Sequence, residues 1–261
     1  MTRTTLRIAL FIVFAALMAN PSQAADVPQP TAEQVRDDAI SKTTAWRPKS
    51  AETILNKNLN YEKSQPWLTA EALLMATFGI GQDEDTVKEA LAILDKQAKK
   101  NPKDPVSEFY RGEVLYWGKE PNKAKAAWKN ANDRAATLTK KDPKDGCAQY
   151  YLGASFVRLV KPQEARKALI KAKKADFDPS MVDFQKGLSY FLERNWKSAR
   201  DSFDAVYELD PRFAHLFFYR ALAWEKLGQK DNYLVDLEQF VKLAPNSPEA
   251  KTAMALLSAR K

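Results

Sequence analysis

The chain has 261 residues, 45% hydrophobic and 28% charged, with 41 Lys and Arg against 33 Asp and Glu for a formal net charge of +8. That length and composition support a sizeable buried core, and eight glycines are too few for a turn-rich β fold. The single cysteine excludes an internal disulfide, and one histidine with one cysteine excludes a zinc ligand set.

At the N-terminus, Arg3 and Arg7 precede an apolar run from Ile8 to Ala19, and Ser22 and Ala24 place small residues at a minus-three and minus-one spacing. This is the pattern of a secretory signal peptide over residues 1–24, with cleavage expected after Ala24 and a periplasmic or secreted mature chain. The apolar run has about a dozen residues where a bilayer span needs roughly 20, so no membrane span is expected. Removing Arg3 and Arg7 takes the basic residues from 41 to 39 against 33 acids, a net charge of +6.

Residues 25–66 read as an N-terminal arm with short helices. Ala32 to Ala45 has a helical pattern through Val35, Ala39 and Ile40, Trp46-Arg47-Pro48 interrupts it, and Ala51 to Leu59 offers Ile54 and Leu55 for packing. Such an arm either packs on the rest of the chain, fills a groove in it, or captures a partner. Trp67 to Phe78 is expected to be the first long helix, followed by a turn at Gly79-Ile80-Gly81 that is too short for a phosphate loop. Asp83, Glu84 and Asp85 then read as a helix start, where carboxylates favour the dipole.

From residue 109 one short phrase returns four times: Phe109-Tyr110-Arg111-Gly112, Tyr150-Tyr151-Leu152-Gly153, Phe184-Gln185-Lys186-Gly187 and Phe218-Tyr219-Arg220-Ala221. Gly153, Gly187 and Ala221 are 34 residues apart, and Phe156, Tyr190 and Trp224 follow each by three. Twelve positions after each small residue stand Ala165, Ala199 and Tyr233, and four later Leu169, Phe203 and Leu237. A small residue on the first helix of a pair lets the second lie close, and the aromatic and the Phe or Leu fill the space between. Gly112 precedes Gly153 by 41 residues; the surplus of seven is close to two helical turns, so the helix from Ala124 to Lys140 can be longer by about 10 Å without rotating its apolar stripe. A last helix is expected from Pro248, with Ser247 as N-cap, covering the end of the stack.

The recurring Phe/Tyr-x-x-Gly-x-x-x-aromatic, then Ala-x-x-x-Phe/Leu, then Pro211 or Pro245, resembles the tetratricopeptide repeat family. The resemblance implies an all-α fold, a right-handed superhelical solenoid of antiparallel helix pairs. It divides residues 67–247 into about five repeats, 71–104, 105–145, 146–179, 180–213 and 214–247, with 248–261 as a C-terminal cap. It also implies that the first helix of each pair, helix A, lines a concave face where partners bind. Projected on that face, the ladder Phe109, Tyr150, Phe184 and Phe218 is flanked three positions earlier by Val106, Cys147, Met181 and His215. Four positions later come Glu113, Ala154, Leu188 and Leu222, and a further row holds Tyr116, Val157, Phe191 and Glu225. The candidate groove residues are therefore Phe109, Tyr116, Tyr150, Met181, Phe184, Leu188, Phe191, Phe218 and Leu222. An apolar, aromatic wall suits an amphipathic helix or an extended hydrophobic peptide. These rows lack the Lys, Arg and Asn with which chaperone-binding members hold a carboxylate.

The expected function is a non-catalytic interaction scaffold or adaptor of the cell envelope, with a protein or peptide ligand, no nucleic acid and no cofactor. His215 and Cys147 stand at the same repeat position two units apart, too distant for a catalytic dyad. The other reading is a structural envelope protein whose basic face is drawn weakly to anionic lipid or cell-wall polymer; lysines on a solvated helix face give the same composition.

Overall fold

The structure, a computed structural model, describes residues 29–79 and 83–259. The signal peptide lies outside the described residues, as does most of the Gly79-Ile80-Gly81 turn. The chain divides into two units, 1–30 and 31–261, and every helix below belongs to the second.

Thr31 opens that unit with a capping box: its hydroxyl accepts from the Gln34 N–H at 3.2 Å, and its own N–H donates to Gln34 Oε1 at 2.7 Å. Helix α1 follows over Ala32–Thr44, and α2 over Pro48–Lys57. Trp46 between them has φ of 60°, and the Arg47 N–H closes the turn on Lys42 O at 2.8 Å. Because Pro48 is tolerated in a first turn, α2 begins three residues before the position expected from the apolar pattern and ends at Lys57.

Five antiparallel pairs come next: α3 (Gln65–Gly79) with α4 (Glu84–Lys100), α5 (Pro105–Trp117) with α6 (Pro121–Lys141), α7 (Gly146–Arg158) with α8 (Pro162–Lys174), α9 (Pro179–Leu192) with α10 (Trp196–Leu209), and α11 (Ala214–Lys226) with α12 (Lys230–Leu243). The two helices of each pair pack most heavily on each other, and the second helix of each pair packs next on the first helix that follows it, the arrangement of an all-α solenoid. The seven-residue surplus sits in α6, which has 21 residues where α8, α10 and α12 have 13 or 14.

The small residue does the work expected of it. A Cβ built on Gly112, Gly153 or Gly187 would stand 2.5, 2.7 or 2.4 Å from Trp128, Leu169 or Phe203, each sixteen positions later on the facing helix. Helices α5, α7, α9 and α11 all end in a left-handed residue: Lys119, Val160, Arg194 and Gly228, with φ between 58° and 74°. In each case the next N–H reaches back to the carbonyl of Leu115, Phe156, Tyr190 or Trp224 at 2.8–3.0 Å. Only the last of these stops is a glycine. Val160, β-branched and 66% exposed, adopts that conformation with no packing in return. Val160→Gly is expected to raise the unfolding free energy by about 1 kcal/mol, read from the urea midpoint at unchanged slope.

The C-terminal helix α13 (Ala250–Ser258) starts two residues later than Pro248, with Glu249 rather than Ser247 in the N-cap place. Ser247 sits in the turn, its carbonyl accepting from the Ala250 N–H. No helix among the described residues is long and apolar enough to cross a membrane.

Candidate functional site

Helix α1 does not lie idle beside the stack. It crosses the N-terminal ends of successive A helices and meets two aspartates that cap helix starts and one that ends α10. Arg36 points at Asp104, the N-cap of α5, at 3.8 Å, and its other nitrogen meets Cys147 Sγ on α7 at 3.5 Å. Ser41 donates to Asp178, the N-cap of α9, at 2.6 Å. At the far end Arg47 pairs with Asp210, the Ala214 N–H bonds to Ala45 O at 3.2 Å, and the Trp46 ring meets His215 edge-on at 5.4 Å.

Val35, Arg36, Ala39, Ile40, Ser41 and Thr43 are all buried, so α1 is enclosed on more than one side. Burying Val35 and Ile40 alone stabilises this seat by about 3–6 kcal/mol before ordering costs. The Arg36 charge is disfavoured by burial but held by Asp37 and Asp104. Burial under this helix, together with nearby Asp37, pushes the Cys147 thiol pKa well up.

Beside the C-terminal end of α1 a partly open cavity of about 80 Å³ sinks into the inner wall. It is lined by Phe109, Tyr150, Phe184, Leu188 and Tyr219 of the A helices, by Leu73 and Trp117, and by Thr43, Thr44 and Trp46 of α1 and the turn after it. Two partnered carboxylates, Glu113 and Glu249, meet there. Arg158, the last residue of α7, grips Glu113 of α5 with two hydrogen bonds of 2.7 and 2.8 Å. His215 on α11 faces Glu249 at 3.3 Å. Burial works against the Glu249 charge, but His215, its own backbone N–H and Arg158 hold its pKa below the usual carboxylate range. Tyr219 is pushed up to about 12 by burial and by Glu249 and stays a neutral phenol.

Of the nine groove residues expected from the sequence, Phe109, Tyr150, Phe184 and Leu188 line this cavity. Met181 is fully buried, and Phe218 packs on Phe240 at a ring distance of 5.1 Å. Phe191 and Leu222 are half-buried, Phe191 against Trp196 and Tyr219. Tyr116 is 58% exposed and leans on Trp128. The wall is less uniformly apolar than the repeat projection implies. Arg158 follows its pair's last projected row by one residue, and its partner Glu113 is 45 residues away, so periodicity alone does not bring them together. Glu249 belongs to the cap and Trp46 to the arm, outside any repeat register.

The basic surplus is concentrated on two second helices. Helix α6 carries six basic and one acidic residue and α8 five and one, whereas α4, α10 and α12 are balanced or slightly acidic. Lys125, Lys129, Lys167, Lys171 and Lys174 are exposed.

The tetratricopeptide repeat family matches the sequence over residues 216–247. No curated protein matches the chain. Among solved structures, TTC0263, a thermophilic tetratricopeptide protein of Thermus thermophilus, superposes with a TM-score of 0.57 at 16% identity, over 75% of this chain and 100% of that one. A tetratricopeptide protein of Parabacteroides merdae gives 0.48 at 15% identity over 88% and 86%. YrrB, described as having an unusual peptide-binding site, gives 0.40 at 21% over 77% and 97%. The likeness in fold rests on the first of these.

Proposed function

We propose, from a tetratricopeptide repeat matched over residues 216–247 and a fold shared with a solved tetratricopeptide protein, that the chain is a tetratricopeptide-repeat protein acting as a non-catalytic interaction scaffold of the cell envelope. The observation that carries this reading is the inner wall itself. One edge of it already accepts a helix, α1, through alternating apolar and charged contacts, and beside that helix the wall continues as an aromatic cavity. A surface that holds one helix by its side chains has the relief to hold a segment of another protein. The envelope location is supported by the signal-peptide pattern of residues 1–24.

The test uses the processed chain, whose N-terminus is expected at Ala25 by mass, immobilised and exposed to envelope extract beside Leu222→Asp. Leu222 is half-buried on the face projected as the groove and also packs against the core, so a charge there is aimed at docking, with helicity and Tm as the check on the fold. Phe184 and Phe218 are poor choices, because truncating such buried rings costs about 3–5 kcal/mol each and reports on folding. A protein retained by the wild type and lost by Leu222→Asp, at unchanged helicity and Tm, supports the scaffold and identifies its partner. Nothing retained overturns it.

A second reading is supported by the charge on α6 and α8: attachment through the basic face to an anionic envelope surface. It predicts equal retention of polyanionic material by both proteins, released by salt.

A further inference from the structure

Helix α1 is held by the repeats through contacts that the repeats themselves do not need. Its buried residues Val35, Arg36, Ala39, Ile40 and Thr43 recur at helical spacing and form one stripe, with Ser41 beside it. The helix packs along α3 and touches the later pairs through side chains aimed at cap residues, Arg36 at Asp104 and Ser41 at Asp178. Both aspartates have other partners. When Arg36 leaves, Asp104 keeps the Val106 N–H and Gln65; when Ser41 leaves, Asp178 keeps the N–H groups of Ser180 and Met181 at 2.9 and 3.2 Å. The glycine crossings that close the repeat pairs involve no residue of α1. On the side of α1, Arg36 gives up a position where burial works against its charge, and a buried ion pair adds little net stability. Withdrawal therefore costs chiefly the apolar contacts of the stripe and leaves the caps of the stack satisfied.

What the helix covers is the aromatic wall. Thr43 and Thr44 border the cavity, and Thr44 hydrogen-bonds the hydroxyl of Tyr110, whose ring belongs to a cluster with Phe109 and Tyr151 at centroid distances of 5.2–5.9 Å. The turn that follows is tied separately to the last pair, through Arg47 to Asp210 and Trp46 against His215, so α1 is tethered at its C-terminal end.

We propose that α1 is a built-in occupant of the scaffold's docking edge, a strap that gives way when a partner presents a helix of the same chemistry: an apolar stripe with a guanidinium at the place of Arg36 and a hydroxyl at the place of Ser41. The chemistry of the occupant is read from α1 itself, because the seat is seen filled. Belonging to the same chain, α1 competes at an effective concentration on the order of 1 mM, so the seat rejects weak helices and admits those that bind it well when bare. The part this seat plays in partner binding rests on the scaffold reading; the exchange of one helix for another at it does not.

Exchange is measured by the fluorescence anisotropy of a labelled peptide of residues 29–47, added to the processed chain and to its Arg36→Ala/Ile40→Ala variant. Both substitutions lie on α1, favour helix and remove no contact between repeats. The variant is expected to bind the peptide at least about tenfold more tightly than the wild type, whose own helix holds the seat. A peptide carrying the same two substitutions is expected to bind neither protein. Equal binding by wild type and variant, or no binding by a variant whose thermal unfolding shows an intact stack, overturns the proposal. Amide hydrogen exchange of the wild type needs no variant. Residues 32–44 are expected to exchange at least about tenfold faster than residues 148–158 of α7, and equal rates overturn the proposal as well. No partner enters either measurement. A pull-down that retains nothing beside a peptide that exchanges removes the scaffold reading and leaves the exchangeable seat; a retained partner beside a peptide that does not exchange does the reverse.

Discussion

Asp104→Ala is expected to lower the unfolding free energy by about 3 kcal/mol, because one carboxylate serves three elements. It caps α5 by accepting from the Val106 N–H at 3.2 Å, and the loss of such a cap costs about 1 kcal/mol. It accepts from Gln65 of α3 at 2.7 Å and from Ser107 at 3.3 Å, and its loss removes the charged acceptor from a small network in which Gln65 and Ser107 keep each other and Thr69 as partners. It is also one of two carboxylates near the Arg36 guanidinium of α1, whose side chain is only 6% exposed, and a buried charge stripped of a partner is the expensive case. Asp104→Asn keeps the cap oxygen and is expected to cost about half as much. Urea unfolding followed by far-UV circular dichroism measures both, and a cost below about 1 kcal/mol for the alanine variant would show that α1 is not anchored through this residue.

Gly187→Ala is expected to cost about 2 kcal/mol. The added Cβ would stand 2.4 Å from Phe203 Cε1 and within 3 Å of two other atoms of that ring. Phe203 is fully buried, tilted against Phe184 at 5.9 Å and stacked near Tyr219 at 6.2 Å, so it has no empty space to enter. Overpacking of this kind costs about 1–3 kcal/mol, and alanine's better helix propensity returns part of it. Gly118→Ala is the control: its Cβ would meet nothing closer than 3.4 Å, and the expected change is within about 0.5 kcal/mol. Equal effects at the two glycines would contradict close helix approach at Gly187.

What was legible in the sequence is what repeats. Gly153 facing Leu169 and Gly187 facing Phe203 follow from a constant offset of sixteen, since each repeat buries its face only on its neighbours and the same crossing recurs. The extension of α6 was readable because seven residues preserve helical phase. The stops at Lys119, Val160 and Arg194 were not, since the sequence carries no glycine there and the closing bond is backbone to backbone. Nor was the start of α13, where Glu249 is engaged by His215 and Ser247 remains in the turn. The candidate site was half legible. Phe109, Tyr150, Phe184 and Leu188 came from the period, but Trp46, Arg158 and Glu249 reach the cavity from outside it, through contacts spanning 34 to 45 residues or more.

The position of Cys147 under Arg36 gives the molecule an internal reporter. Its sulfur is the chain's single thiol, kept protonated by burial and partly covered by Arg36 of α1. While α1 is seated, an alkylating reagent meets a partly buried thiol rather than a thiolate. Each departure of α1 uncovers the sulfur, so the labelling rate of the unmodified protein is a clock for that motion.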